Sequence, residues 1–174
     1  MKVTVHVETG AAYAPFIRRH LKGASALLAS RGMGAKSMLR LDELSVALVG
    51  DRRMSRLHQE FMNIAGPTDV LTFPIDFAVD GRVSSGEVYI CVPEARRQAR
   101  KSRVGVKLEL LLYAIHGMLH LLGYDDRTRR AYCAMHEMED AILTRLGLGP
   151  VFARQPGGQN KPVAQRPPRK GGRA

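Results

Sequence analysis

The sequence predicts a single α/β (α+β) domain with one roughly four-stranded sheet covered by helices. Three observations lead there. Short β-rich runs are interspersed with stretches whose apolar residues recur at helical spacing. A chain of 174 residues, 45% hydrophobic and 25% charged, is long enough for one domain with a real core and too short to expect two. One stretch, from Lys107 to Leu122, is apolar on nearly every side, as a buried helix requires. The domain is expected to cover residues 1–152. Residues 153–174, rich in Pro, Gly, Gln and Arg, read as a basic, disordered tail.

Val3, Val5 and Val7 alternate with polar residues and predict a first strand. Pro15 opens a helix that carries Phe16, Ile17, Leu21, Ala24, Leu27 and Leu28 and runs to about Arg31. Leu44 to Val49 is a second strand, and Asp51 can cap a second helix whose Met54, Leu57 and Phe61 share a face. Val70–Phe73 and Glu87–Val92 are strands three and four, separated by turn residues that include Gly81 and Gly86. Pro93 then starts a basic helix. In the following helix Leu108, Leu111, Leu112, Ile115, Leu119 and Leu122 form one side, and Leu110, Ala114, Met118 and Leu121 widen it. Gly123 can end this helix in a left-handed turn, and a last helix runs from about Arg127 to Leu146.

The longest apolar run contains Glu109, His116 and His120, ionisable groups too costly for the middle of a bilayer, so no membrane span is expected. The alternating N-terminus does not resemble a signal peptide, which makes the cytoplasm the expected location. Cys91 and Cys133 cannot build a disulfide framework; each sits among apolar neighbours and reads as a structural, small hydrophobe. The net charge of +11 implies a polyanionic partner. Arg154, Lys161, Arg166, Arg169, Lys170 and Arg173 place part of it in the tail, yet the body stays basic without them. Within the body, Arg96, Arg97, Arg100 and Lys101, followed by Arg103 and Lys107, form a run able to meet phosphates, or else a solvated helix face.

His116 and His120 stand four apart on the buried helix, so both imidazoles leave one face and can meet a single ion; Glu109 and Tyr113 continue that stripe. A catalytic zinc site typically needs three protein ligands and one open position. Beyond Gly123 the chain can return Asp125 or Asp126 as the third. His136 competes if the last helix packs antiparallel to the histidine helix, although an exposed position is the more ordinary expectation for it. Gly117 stands where the H-E-x-x-H metallopeptidases carry their general base, which argues against proteolysis. Hydrolysis of a phosphodiester suits a metal beside a basic surface better.

The run His116-Gly117-Met118-Leu119-His120-Leu121-Leu122-Gly123-Tyr124-Asp125 closely resembles the signature of the bacterial YbeY family of rRNA-maturation endoribonucleases. Pro67-Thr68-Asp69-Val70-Leu71-Thr72-Phe73-Pro74 is similar to the family's P-T-D-V-L-S-F-P block, and Gly86-Glu87 falls where the family has Gly-Asp before a strand. The resemblance implies a metallo-hydrolase, usually with one zinc per chain. Its expected function is single-strand-specific cleavage in 16S rRNA 3′-end maturation and ribosome quality control, with a metal-bound water as nucleophile. Ribosomal RNA and ribosome assembly intermediates are the implied partners. It makes His116 and His120 the first two ligands and places the Pro67–Pro74 block close to them. Family members carry a third His directly after Gly-Tyr-Asp; here that position is Asp126, expected to serve as the third ligand with one more negative charge. Met62 stands where the family usually has an Arg, so Arg53 or Arg56 substitutes or activity falls. Both departures sustain an alternative, a ribosome-assembly or RNA-binding factor with weakened or lost catalysis.

Overall fold

The computed structural model describes residues 1–30 and 41–152, so the expected tail and Arg31 lie outside the described residues. Four strands, β1 (Lys2–Val7), β2 (Glu43–Val49), β3 (Val70–Phe77) and β4 (Val83–Cys91), alternate with five helices: α1 (Ala14–Ala29), α2 (Asp51–Met62), α3 (Val92–Ser102), α4 (Val106–Leu121) and α5 (Arg129–Arg145). The sheet order is β1-β2-β4-β3, with β1, β2 and β4 parallel and β3 antiparallel to β4. The expected α/β class and four-stranded sheet are borne out. No single helix among the described residues is long and apolar enough to cross a membrane.

Alternation along the strands sorts their side chains onto two faces. Val3, Val5, Leu44, Val46, Leu48, Val88 and Ile90 join α1, α4 and α5 in the main core. Val49, Leu71 and Cys91 face the other way and meet Met54 and Leu57 of α2. Burial is the chief reason that the Cys91 thiol pKa is pushed up to about 12, in keeping with an inert structural cysteine.

Helix α4 lies unusually close to the sheet, and two glycines explain it. A Cβ on Gly117 would stand 2.7 Å from both γ carbons of Val88 and 2.9 Å from Thr72 Oγ1; one on Gly86 would stand 2.5 Å from Leu121 Cδ1. One glycine is on the helix and the other on the strand beneath it, so at each point the bare backbone of one element admits a side chain of the other. Gly86 is therefore not a turn residue preceding the fourth strand but lies inside β4, which begins at Val83. Gly81, with φ of 78°, makes the hairpin turn as expected.

Strands β3 and β4 are longer than their apolar runs because each completes the other's hydrogen-bond ladder over exposed residues. Pro74 is tolerated because β3 is the sheet edge, and the register slips between Pro74 and Asp76. The N-cap of α2 is Gly50 rather than Asp51. Asp51 is the first helical residue, and its carboxylate binds across to α3, accepting from Arg97 at 2.6 and 3.1 Å.

Candidate metal centre

His116 and His120 project from one face near the end of α4. Gly123, at φ of 85°, ends the helix as anticipated: its N–H and that of Tyr124 return to the carbonyls of His120 and Leu119, each at 3.0 Å. This reversal brings Asp126 back to the histidines. Asp125 is excluded from that role by its own bonds, since Oδ1 accepts from the N–H groups of Asp126 and Arg127 and Oδ2 from Arg127 Nε at 2.7 Å.

Asp126 Oδ2 lies 3.9 Å from His116 Nε2 and 3.8 Å from His120 Nε2, while the two Nε2 atoms are 3.1 Å apart. The remaining ring nitrogens determine what these atoms offer. His120 Nδ1 sits 3.1 Å from the Tyr124 carbonyl, which can only accept, so this nitrogen carries the hydrogen. His116 Nδ1 lies 2.7 Å from Glu139 Oε1. Burial pushes the Glu139 pKa upward, but hydrogen bonds from His116 and His136 outweigh it and hold the carboxyl below its usual range. Both Nδ1 atoms are thus donors, and in neutral imidazoles both Nε2 atoms present lone pairs. Two lone pairs and a carboxylate oxygen facing one another repel unless a cation lies among them.

A point equidistant from the three atoms is about 2.1 Å from each, the bond length zinc makes to imidazole nitrogen and carboxylate oxygen. His116, His120 and Asp126 can therefore hold a metal ion. Gly117, pressed against Val88 and Thr72, points from the helix towards the sheet, so this position could not aim a general base at such an ion. The absence of the peptidase glutamate follows from packing.

Glu139 is the residue that the sequence reading missed. It is fully buried on α5 at the spacing of Met135, Ile142 and Leu143, so the visible signal was a carboxylate on an otherwise apolar stripe. His136 proves neither a member of the three-atom cluster nor exposed: it is half-buried, with Nδ1 2.6 Å from Glu139 Oε2. Thr72, from the Pro67–Pro74 block, stands 2.9 Å from where a Cβ on Gly117 would lie, which places that block beside the histidine helix.

The sequence model described as "Endoribonuclease YbeY" matches residues 16–147. The chain belongs to the endoribonuclease YbeY family. Among curated relatives, the endoribonuclease YbeY of Acidothermus cellulolyticus is 37% identical over 67% of this chain and 78% of its own length. That of Frankia casuarinae is 40% identical over 82% and 73%, and that of Thermobifida fusca 41% over 59% and 71%. The solution structure of TM1509 from Thermotoga maritima shares the fold, with a TM-score of 0.55 at 24% identity over 83% of this chain and 91% of that one. As a YbeY endoribonuclease the chain is a hydrolase whose substrate is RNA.

For a YbeY protein the basic residues bear on substrate binding, and the structure divides them. Arg97 donates to Asp51 and, at 2.6 Å, to Glu94, so it braces α3 against α2 instead of offering a free guanidinium. Those bonds raise its pKa further. Arg96 is exposed, 5.9 Å over the Tyr13 ring, and Arg100 and Lys101 are exposed on the last turn of α3. Met62 packs beneath α2 with Phe73 and Tyr89. Arg53 and Arg56 belong to the first turns of α2, where with Glu8, Thr9, Gly50 and Arg52 they line an open pocket at the ends of β1 and β2. Arg56, the nearer, is roughly 9 Å along the helix axis from Met62. Arg53 and Arg56 thus lie towards the opposite end of α2 from Met62.

Burial disfavours the charged form of His116, but the Glu139 carboxylate, with Asp126 and Asp69, outweighs it and raises the pKa above the ordinary 6.5. A proton therefore competes for Nε2 from above that value. In the metal-free protein this interaction stabilises fully below about pH 6.5 and is lost as pH rises through the folded-state pKa; the Glu139 contribution runs oppositely, lost as pH falls below about 4.5. The rise in Tm caused by zinc is accordingly expected to grow between about pH 6 and about pH 8, measured by thermal unfolding with and without the metal.

Proposed function

We propose that this YbeY chain is a zinc-dependent, single-strand-specific endoribonuclease that matures the 3′ end of 16S rRNA on ribosome assembly intermediates and serves ribosome quality control in the cytoplasm. The observation that carries the reading is the convergence of the His116, His120 and Asp126 lone pairs, with both distal ring nitrogens already donating. Two nitrogens and one oxygen, with positions left open, form a donor set of the catalytic zinc type. Zinc bound there would supply Lewis acidity and a water acidified to a pKa of about 7.

The chain's own residues do the rest. Glu139 and the Tyr124 carbonyl fix the tautomer and orientation of the two imidazoles. Asp126 adds a negative charge that a third histidine would not, which would lower the electrophilicity of a bound ion and raise the pKa of its water. Arg96, Arg100 and Lys101 offer exposed charge to an RNA backbone. Packing of Met62 into an apolar cluster favours the second reading, an RNA-binding assembly factor with weakened catalysis, because a methionine cannot make charge-assisted bonds to phosphate.

Elemental mass spectrometry of tag-free protein, paired with cleavage of single-stranded and duplex RNA, decides between them. Near one zinc per native chain, most of it lost in Asp126→Ala together with cleavage of the single-stranded substrate, is the expected result. Native protein that holds zinc and binds RNA without cleaving it would establish the assembly factor. Native protein that takes up no zinc when supplied with it would overturn the metal centre.

A further inference from the structure

Glu139 is fully buried, and each of its oxygens meets one imidazole: Oε1 lies 2.7 Å from His116 Nδ1 and Oε2 2.6 Å from His136 Nδ1. His136 is clamped in turn. Its ring stacks on Phe152 with centroids 4.3 Å apart and planes at 3°, and it meets the Tyr132 ring edge-on at 4.2 Å. Phe152 is positioned by Asp140, whose Oδ1 accepts from the backbone N–H groups of Val151 at 2.7 Å and Phe152 at 3.0 Å. Val151 is buried beside it. Contacts thus run without a gap from the chain that follows α5, through Phe152, His136 and Glu139, to the distal nitrogen of His116.

We propose that His136, clamped by Phe152, is a positioning residue for the metal centre, so that the segment after α5 helps to set metal affinity; this rests on reading His116 as a ligand. A carboxylate bonded through one oxygen alone can swing about its last torsion. A second donor on the other oxygen fixes its plane and, in a fully buried site, spares that oxygen an uncompensated burial. The flat stack on Phe152 prevents the His136 ring from turning Nδ1 away, and with Oε2 held, Oε1 stays aimed at His116 Nδ1. This keeps the His116 lone pair on the side of Asp126. Loss of an outer partner of a metal-binding histidine typically costs 10–100-fold in affinity.

The test uses the full chain, stripped of metal and titrated with zinc against a chromophoric chelator. His136→Phe keeps a ring against Phe152 but removes the donor; His136→Asn returns an N–H near the Nδ1 position without the ring. Zinc affinity is expected to fall about tenfold in His136→Phe, to recover largely in His136→Asn, and to fall by an intermediate factor in Phe152→Ala. Affinity within twofold of native in His136→Phe overturns the proposal, and so does an equal loss in the Asn variant, which would trace the effect to packing. A second readout needs no metal: the downfield His116 Nδ1 proton in the NMR spectrum of the apo protein should broaden by faster exchange in His136→Phe. If native protein binds no zinc, the metal reading fails by itself, and this proton decides the positioning role: altered in the variant it supports the role, unchanged it overturns it.

Discussion

His116→Ala is expected to lower RNA cleavage by about three orders of magnitude or more while leaving RNA affinity within about twofold. A metal ion held there would supply several kcal/mol of transition-state stabilisation, and each 1.4 kcal/mol is about tenfold in rate. Loss of the His116 ring also leaves buried Glu139 with only one imidazole partner, so the variant is expected to lose zinc as well as activity. RNA affinity is expected to be carried elsewhere. Charge reversal at Arg96, Arg100 and Lys101 is expected to weaken binding and to reduce the slope of log affinity against log salt by about 0.7 for each phosphate contact removed. Arg97 is excluded from that set because its reversal would set a negative charge against Asp51 and Glu94 and disturb the α2–α3 junction. Single-turnover cleavage and fluorescence-anisotropy titration measure the two effects. Unimpaired cleavage in His116→Ala would rule out this histidine as part of the reaction centre.

Gly117→Val is expected to be the most destabilising single substitution in the sequence motif, by about 3 kcal/mol or more. The first added carbon already stands 2.7 Å from both γ carbons of Val88 and 2.9 Å from Thr72 Oγ1, contacts that force Val88, Thr72 or α4 itself to move. Overpacking a close-packed core costs about 1–3 kcal/mol, and a β-branched residue in a helix adds to this. The clash lies between His116 and His120, so the displaced helix should also spread the ligand atoms and reduce zinc uptake in whatever fraction folds. Urea denaturation of the metal-free protein measures the first effect and zinc titration the second. Gly86→Ala provides a control from the sheet side, since its Cβ would meet Leu121 at 2.5 Å. A native denaturation midpoint in Gly117→Val would show that α4 is free to shift.

The histidine pair was legible because a helix converts a spacing of four into a shared face, a local rule that needs no knowledge of the rest of the chain. The left-handed Gly123 that brings Asp126 back is local in the same sense. Choosing between Asp125 and Asp126 was less direct. Family resemblance favoured Asp126, and the physical reason appears in the hydrogen bonds that tie Asp125 to its own turn. Asp51 illustrates the opposite case: a good capping residue just before a helix, it is recruited by an arginine 46 positions away, and Gly50 takes the cap.

Residues acting at long range were not legible in this way. Glu139 lies 23 positions from His116, and His136 could be placed only once the packing of α5 against α4 was known. Gly86 read as a turn residue because glycine is permissive, whereas its actual use is to admit Leu121 against the sheet. Arg97 looked like one of several solvated cations until Asp51 and Glu94 were found around it. Helical and strand periods, turn glycines and the His-x-x-x-His spacing are short-range consequences of backbone geometry, and from them the chain alone settles its α/β class, its buried helix and two histidines on one helix face. Which carboxylate holds a histidine, which arginine is already spent on an ion pair and which glycine marks a close approach depend on neighbours distant in sequence, and packing alone brings those neighbours together.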